Sequence, residues 1–271
     1  MMYWIYDYPN WAMMALFVAV FLGVTWGGIF ATRATVHSWV HRERCANEMV
    51  SSALASFLVL FGLLLGLVAV ATYQNFAGVS DTVDKEASSM AALYRAFAAY
   101  PSPIRHQLRD RLREYAHSTI EDDWPLQRQG IVPKGGSERI AALSEVLFTF
   151  EPSKRGEEIL HANVLTEFNH LLELHRARLA NVSLGLPSAL WWVVAWSALL
   201  NIILIWLQDM EIHVHLVLGG VLASVLALFI FLIAALDNPF RGEVSVGPDS
   251  IALVYQTFIK PAATPIQPAP K

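Results

Sequence analysis

The sequence predicts an all-α membrane protein, with four transmembrane helices in two pairs and a helical extramembrane bundle between the second and the third. Three observations carry this. Of 271 residues 55% are hydrophobic and only 15% charged, and the mean hydropathy is +0.42, a balance outside that of ordinary soluble domains. Four stretches, 11–31, 52–72, 188–207 and 216–236, are free of Asp, Glu, Lys, Arg and His and reach the roughly 20 residues that a helix needs to cross about 30 Å of hydrocarbon. The long polar segment between the second and third stretches repeats its apolar residues at helical spacing.

The predicted organisation is a helix pair over 1–72, an extramembrane insert over 73–187, a second pair over 188–236, an exit turn with a short helix over 237–260, and a disordered Pro- and Ala-rich tail over 261–271. Trp4, Tyr6, Tyr8 and Trp11 crowd the start of the first span, as aromatic rings do at the lipid headgroups. No Lys or Arg precedes that span, so it does not read as a removable signal peptide. Small residues recur along it at Ala15, Ala19, Gly23, Gly27 and Ala31. Gly62 and Gly66 do the same in the second span, and Gly220, Ser224 and Ala227 in the fourth. Such stripes allow close backbone approach. They suit packing inside the bundle first, with a subunit interface or a pore lining as the alternatives.

The insert holds most of the chain's 19 basic and 23 acidic residues. A first helix is expected over 84–99, with Ala87, Met90, Ala91, Tyr94 and Phe97 on one face. Ser102 and Pro103 have the residue types of a cap and first position for the next, whose inner stripe is Ile104, Leu108, Leu112 and Tyr115. Ser137 is expected to open a third helix, with Ile140, Leu143, Leu147 and Phe150 inward. Ser153 is expected to cap a long fourth one, with Leu160, Val164, Phe168, Leu171, Leu172, His175 and Leu179 on one side.

Charge excludes some functions. The net charge of -4 and the interleaving of Arg with acids leave no basic stripe for nucleic acid. One cysteine, Cys45, allows no disulfide framework and no thiolate metal site. The loop residues Asp209, Glu211, His213 and His215 are the best local candidates for zinc or copper, weighed against a solvated turn. His37 and His41, beside Arg42 and Arg44, suit an anionic headgroup or an ordinary interfacial loop. Glu121, Asp122 and Asp123 before Trp124 suit a cation or a solvated turn with Trp124 packed inward. No nucleotide-binding or hydrolase motif is present, so an enzyme is not expected, nor any cofactor or metal. Near the spans, Arg33, Arg42 and Arg44 on one side face Lys85, Arg176, Arg178 and Arg241 on the other. That balance leaves orientation open.

Asp237, Asn238, Pro239, Phe240 and Gly242, directly after the last span, resemble the closing motif of the bacterial bestrophin-like family. The second-span run from Gly62 to Leu67, then Glu86, Tyr94, Arg95, Tyr115, Trp124 and Pro125, extend the resemblance over nearly the whole chain. It implies analogy to bestrophins, pentameric anion channels with helices inserted between the second and third membrane helices. Those channels follow Asn-Pro-Phe-Gly with an acidic calcium-binding run. Here Arg241 interrupts the motif and only Glu243 and Asp249 follow, so no calcium clasp is implied. The second span also lacks a proline-bearing neck, leaving Ser52, Ser56, Phe57, Phe61, Gly62 and Gly66 as pore-lining candidates. The resemblance implies a homo-oligomeric ion channel in the lipid bilayer of the bacterial inner membrane, passing small inorganic ions with anions favoured, its insert and termini cytoplasmic. The alternative is a non-conducting scaffold or sensor whose insert binds a partner.

Pro239 gives the motif a physical meaning independent of that resemblance. It cannot donate a backbone hydrogen bond and disfavours helix at Asn238. The last span must therefore end there, with Asp237 and Asn238 available to freed backbone groups.

Overall fold

The computed structural model describes residues 6, 8–40 and 45–260. Trp4, His41, Arg42, Arg44 and the tail 261–271 lie outside them. Nine α-helices are described: α1 Asn10–Val40, α2 Ala46–Ala96, α3 Ile104–Ser118, α4 Trp124–Arg128, α5 Gly135–Phe148, α6 Arg155–Asn181, α7 Ser188–Trp206, α8 Ile212–Leu236 and α9 Asp249–Val254. Short π-helical turns, Thr119–Asp123 and Tyr255–Ile259, join α3 to α4 and follow α9. The described residues contain no strand. Four helices are long and apolar enough to cross a membrane, and the chain is an all-α, multi-pass membrane protein.

Two compact units form, Met1–Phe76 with Leu184–Ser245, and Ala77–Ser183 with Val246–Lys271. In the first, α1 packs against α8 and α7. Phe61, Leu65 and Val68 of α2 meet Leu186, Val194 and Ala198 near and on α7, and Leu226, Ile230 and Ile233 on α8. In the second, α3 lies against α5, and the expected stripes Leu108, Leu112 and Tyr115, Ile140, Leu143 and Leu147, and Val164, Phe168 and Leu171 are buried.

Where one helix was expected to stop near residue 72 and another to begin at 84, α2 runs unbroken. The intervening residues 73–83 hold no Pro and a single Gly, so nothing interrupts the hydrogen-bond ladder. About 20 residues suffice to cross the hydrocarbon. The charged part of α2, from Asp81 onward, therefore stands outside it.

Two caps differ from expectation. Ser102 lies outside the helix start, because Pro103 occupies the cap position of α3. Before α6 the roles reverse, since the Ser153 backbone N–H donates to the Glu157 carboxylate at 2.9 Å.

The small-residue stripe of α1 also differs. Ala15, Ala19, Gly23, Gly27 and Ala31 are exposed, and a Cβ built on Gly23 or Gly27 meets nothing within 4 Å. Close approach instead uses Gly28, off that stripe. A Cβ there would stand 1.9 Å from Trp206 Cε2, and the Trp206 indole donates to the Thr25 carbonyl at 3.1 Å. Gly219 and Gly220 of α8 face Ile29, Thr25 and Trp26 of α1 in the same way.

Gly28→Ala will displace Trp206 and lower stability by about 1–3 kcal/mol, read as a lower thermal midpoint in detergent. Gly156→Ala, in an open first turn of α6, will match or exceed the parent by about 0.5–1 kcal/mol.

Candidate functional site

In the membrane unit, the candidates on α2 fall on two sides of the helix. Ser52, Ser56 and Gly62 are exposed and Gly66 is half-buried, with open space beside both glycines. The exposed Val59, Leu63 and Val70 extend the Ser52 and Ser56 face. Phe61 differs from these: it is 2% exposed and packed in the chain's own core. Phe57, half-buried, turns toward the same inner side by its spacing from Phe61.

The exit turn is built from side chains. Asp237 accepts hydrogen bonds from the Leu186 backbone N–H at 2.6 Å and the Trp191 indole at 3.1 Å. Asn238 donates to the Tyr6 hydroxyl at 2.7 Å, and Tyr6 donates to the Ala234 carbonyl at 2.9 Å. Phe240 is buried, and Gly242 adopts φ +83°, where a Cβ would be strained. Glu243 accepts from the Asn10 backbone N–H at 3.0 Å. At the other ends of the spans, Asp209 and Asn47 bond reciprocally, His37 lies 3.1 Å from Asp209, and His215 donates to the Ile205 carbonyl. The loop residues Asp209 and His215 thus turn to helix-end partners.

The densest chemistry lies in the second unit. Glu86 on α2, Tyr115 on α3, and His175 and Arg178 on α6 form one network, each at most 1% exposed. Arg178 donates to Glu86 through Nε at 2.6 Å and Nη2 at 3.3 Å, and its guanidinium lies 5.4 Å from the Trp124 ring. Tyr115 donates to Glu86 Oε1 at 2.5 Å, and its oxygen is 3.0 Å from His175 Nδ1. Ser137, exposed at the start of α5, lies 3.1 Å from His175 Nε2.

Burial alone would raise the Glu86 carboxyl. The adjacent Arg178 charge, with hydrogen bonds from Arg178 and Tyr115 and the His175 ring 3.8 Å away, outweighs it and brings the pKa from 4.5 to about 2. Burial and the Glu86 charge push the Tyr115 hydroxyl well above its ordinary value. Asp123 is 1% exposed, and burial raises its pKa despite the nearby Arg178, His175 and Arg139 charges. Of the expected acidic turn, Glu121 and Asp122 are exposed while Asp123 and Trp124 go inside.

Glu86, Tyr115 and Trp124 were legible as motif residues. Tyr94 and Arg95, from the same run, sit elsewhere: Arg109 lies over the Tyr94 ring at 4.6 Å and Arg95 over Phe258 at 5.8 Å. His175 was read only as an inward residue and Arg178 only as a membrane-flanking charge. The available signal was their spacing of three on a face otherwise apolar, which places a cation inside and demands a buried acid.

Glu86→Gln will cost about 3–5 kcal/mol, because it leaves Arg178 buried without its counter-charge. The folded Glu86 carboxyl binds its proton less tightly than the unfolded one. Its contribution is therefore complete above pH 4.5 and falls away as pH drops through about 2. Protection of the α2 and α6 amides, taken relative to the intrinsic exchange rate at each pH, will fall over that window in the parent and much less in Glu86→Gln.

A family model described as the Bestrophin-like domain matches residues 13–251. Among solved structures, a bacterial Bestrophin homolog from Klebsiella pneumoniae matches at TM-score 0.67 with 10% identity, covering 89% of this chain and 96% of that one. A variant of the homolog from Klebsiella pneumoniae also matches at TM-score 0.67, with 11% identity over 88% of this chain and 96% of that one. Among curated proteins nothing matches. The extent of the family match makes the assignment direct: the chain belongs to the Bestrophin-like family.

Proposed function

We propose that the protein is a subunit of a homo-oligomeric ion channel in the bacterial inner membrane, with α2 lining the conducting path. One observation carries the reading. Ser52, Ser56, Val59, Leu63 and Gly66 recur at spacings of four and three along α2 on a side the chain leaves uncovered, while Phe61, Leu65 and Val68 hold the opposite side to its own core. An uncharged, hydroxyl-bearing face followed by an apolar stretch suits weak, transient contact with partly hydrated ions.

The small residues Ala15, Ala19, Gly23, Gly27 and Ala31, uncovered along α1, fit a close helix contact with a neighbouring subunit. Analogy to bestrophins supports anions as the permeant ions and a cytoplasmic insert with cytoplasmic termini. A second reading, a non-conducting scaffold, draws support from Phe148 and Ile159, which expose 69% and 58% of their surface in the polar unit.

Purified protein in planar bilayers will carry ion-selective current, and Ser56→Trp will reduce it at least tenfold. A silent parent protein that holds a stable partner in pull-downs would favour the scaffold. Reporter fusions at Gly135 and Asp209 will report cytoplasm and periplasm respectively, and the reverse pattern overturns the orientation.

A further inference from the structure

The Glu86 network contains an ordered chain of donors that the channel reading does not use. Tyr115 has one phenolic proton, and the nearer, charged acceptor Glu86 takes it at 2.5 Å. The Tyr115 oxygen can then only accept at its 3.0 Å contact, so His175 Nδ1 carries hydrogen. In the neutral ring, Nε2 is left to accept from the Ser137 hydroxyl. Arg178 Nη2, 3.4 Å from Nδ1, therefore faces another donor and makes no bond there. The chain runs from an exposed hydroxyl through a buried imidazole and a buried phenol to a buried carboxylate.

Asp123 comes near this chain beside its imidazole. Its Oδ2 lies 2.5 Å, and His175 Cε1 3.0 Å, from the point where a Cβ of Gly136 would stand. Asp123 Oδ2 is buried and has no hydrogen-bond partner among the described residues. Gly136, itself buried, leaves room for the approach of the two groups. The charged and titratable groups around the pair are Glu86 of α2, Tyr115 of α3, Asp122 of the π turn, Arg139 of α5 and Arg178 of α6. A carboxylate and an imidazole this close bind protons as one coupled site.

We propose that His175 and Asp123 form a buried proton-binding site, reached from water through the Ser137 hydroxyl, whose loading weakens the Glu86–Arg178 lock. In the loading step Ser137 gives its hydroxyl proton to His175 Nε2 and takes one from a hydronium ion, which leaves as water, so the serine is unchanged and the ring gains one positive charge. The imidazolium is drawn to ionised Asp123. It also competes with Arg178 for Glu86, whose Oε1 is 3.8 Å from Nδ1, and repels that guanidinium. The lock joins α6 to α2, the helix that also carries Ser52 and Ser56.

The test is histidine nitrogen NMR on the full chain in detergent micelles, with His175→Gln identifying one signal among nine histidines. The expected result is a single His175 protonation step that moves to lower pH by about 1–3 units in Asp123→Asn, with the other histidine signals reporting an intact fold. Coupling also requires, with no substitution at all, that the Asp123 carboxyl carbon inflects at the His175 midpoint. A His175 ring that keeps one protonation state from pH 4 to 9, an unmoved midpoint in folded Asp123→Asn, or no shared inflection overturns the proposal. None of these readouts depends on conduction.

Discussion

A peptide group placed in hydrocarbon has no water to bond, so it must be satisfied from within the chain. That constraint makes every span a helix and gives the helix ends their chemistry. Near residue 236 the ladder of α8 stops: the Tyr6 hydroxyl serves the Ala234 carbonyl, Asp237 serves the Leu186 amide, and Asn238 holds the Tyr6 hydroxyl in place. At the opposite ends, Asn47, Asp209 and His215 do the same work for α7 and the loop after it. Indole donors extend it along the helices, from Trp206 to Thr25 and from Trp26 to Leu216. Polar residues that look like candidate ligands in sequence are therefore largely committed to the backbone.

The polar unit answers the same cost with charge. A buried guanidinium and a buried carboxylate are each expensive to desolvate, and together they are tolerable only with good geometry and additional hydrogen bonds. Glu86 and Arg178 meet through two donors, Tyr115 adds a third, and the Trp124 ring faces the guanidinium. This couples three helices through one ion pair and fixes the imidazole of His175 between Tyr115 and Ser137. Asp123 stands at the edge of this arrangement without an equivalent donor set, which is why burial prevails over its cationic neighbours and raises its pKa.

The elements of the fold were largely legible. Uncharged runs of span length, apolar stripes such as Leu108, Leu112 and Tyr115, and Pro239 as a helix stop each act through local chemistry that a sequence displays. Close packing was not. Gly23, Gly27 and Gly28 look alike in sequence, yet Gly28 alone among them receives a neighbouring ring. Phe61 and Ser56 both lie on α2, but one is sealed in the core and the other exposed.

By itself the sequence determined that this is a four-span, all-helical membrane protein with a helical polar insert, because hydrophobic length and 3.6-residue periodicity are properties of contiguous residues. Only the tertiary structure decided that Arg178 is an interior cation paired with Glu86, 92 residues away, and that Asp123 alone of its acidic run is buried, on the side of Gly136 that His175 also approaches. Pairing of distant charges depends on which helix faces meet. Desolvation and hydrogen-bond geometry set that choice, and neither is written in the spacing along the chain.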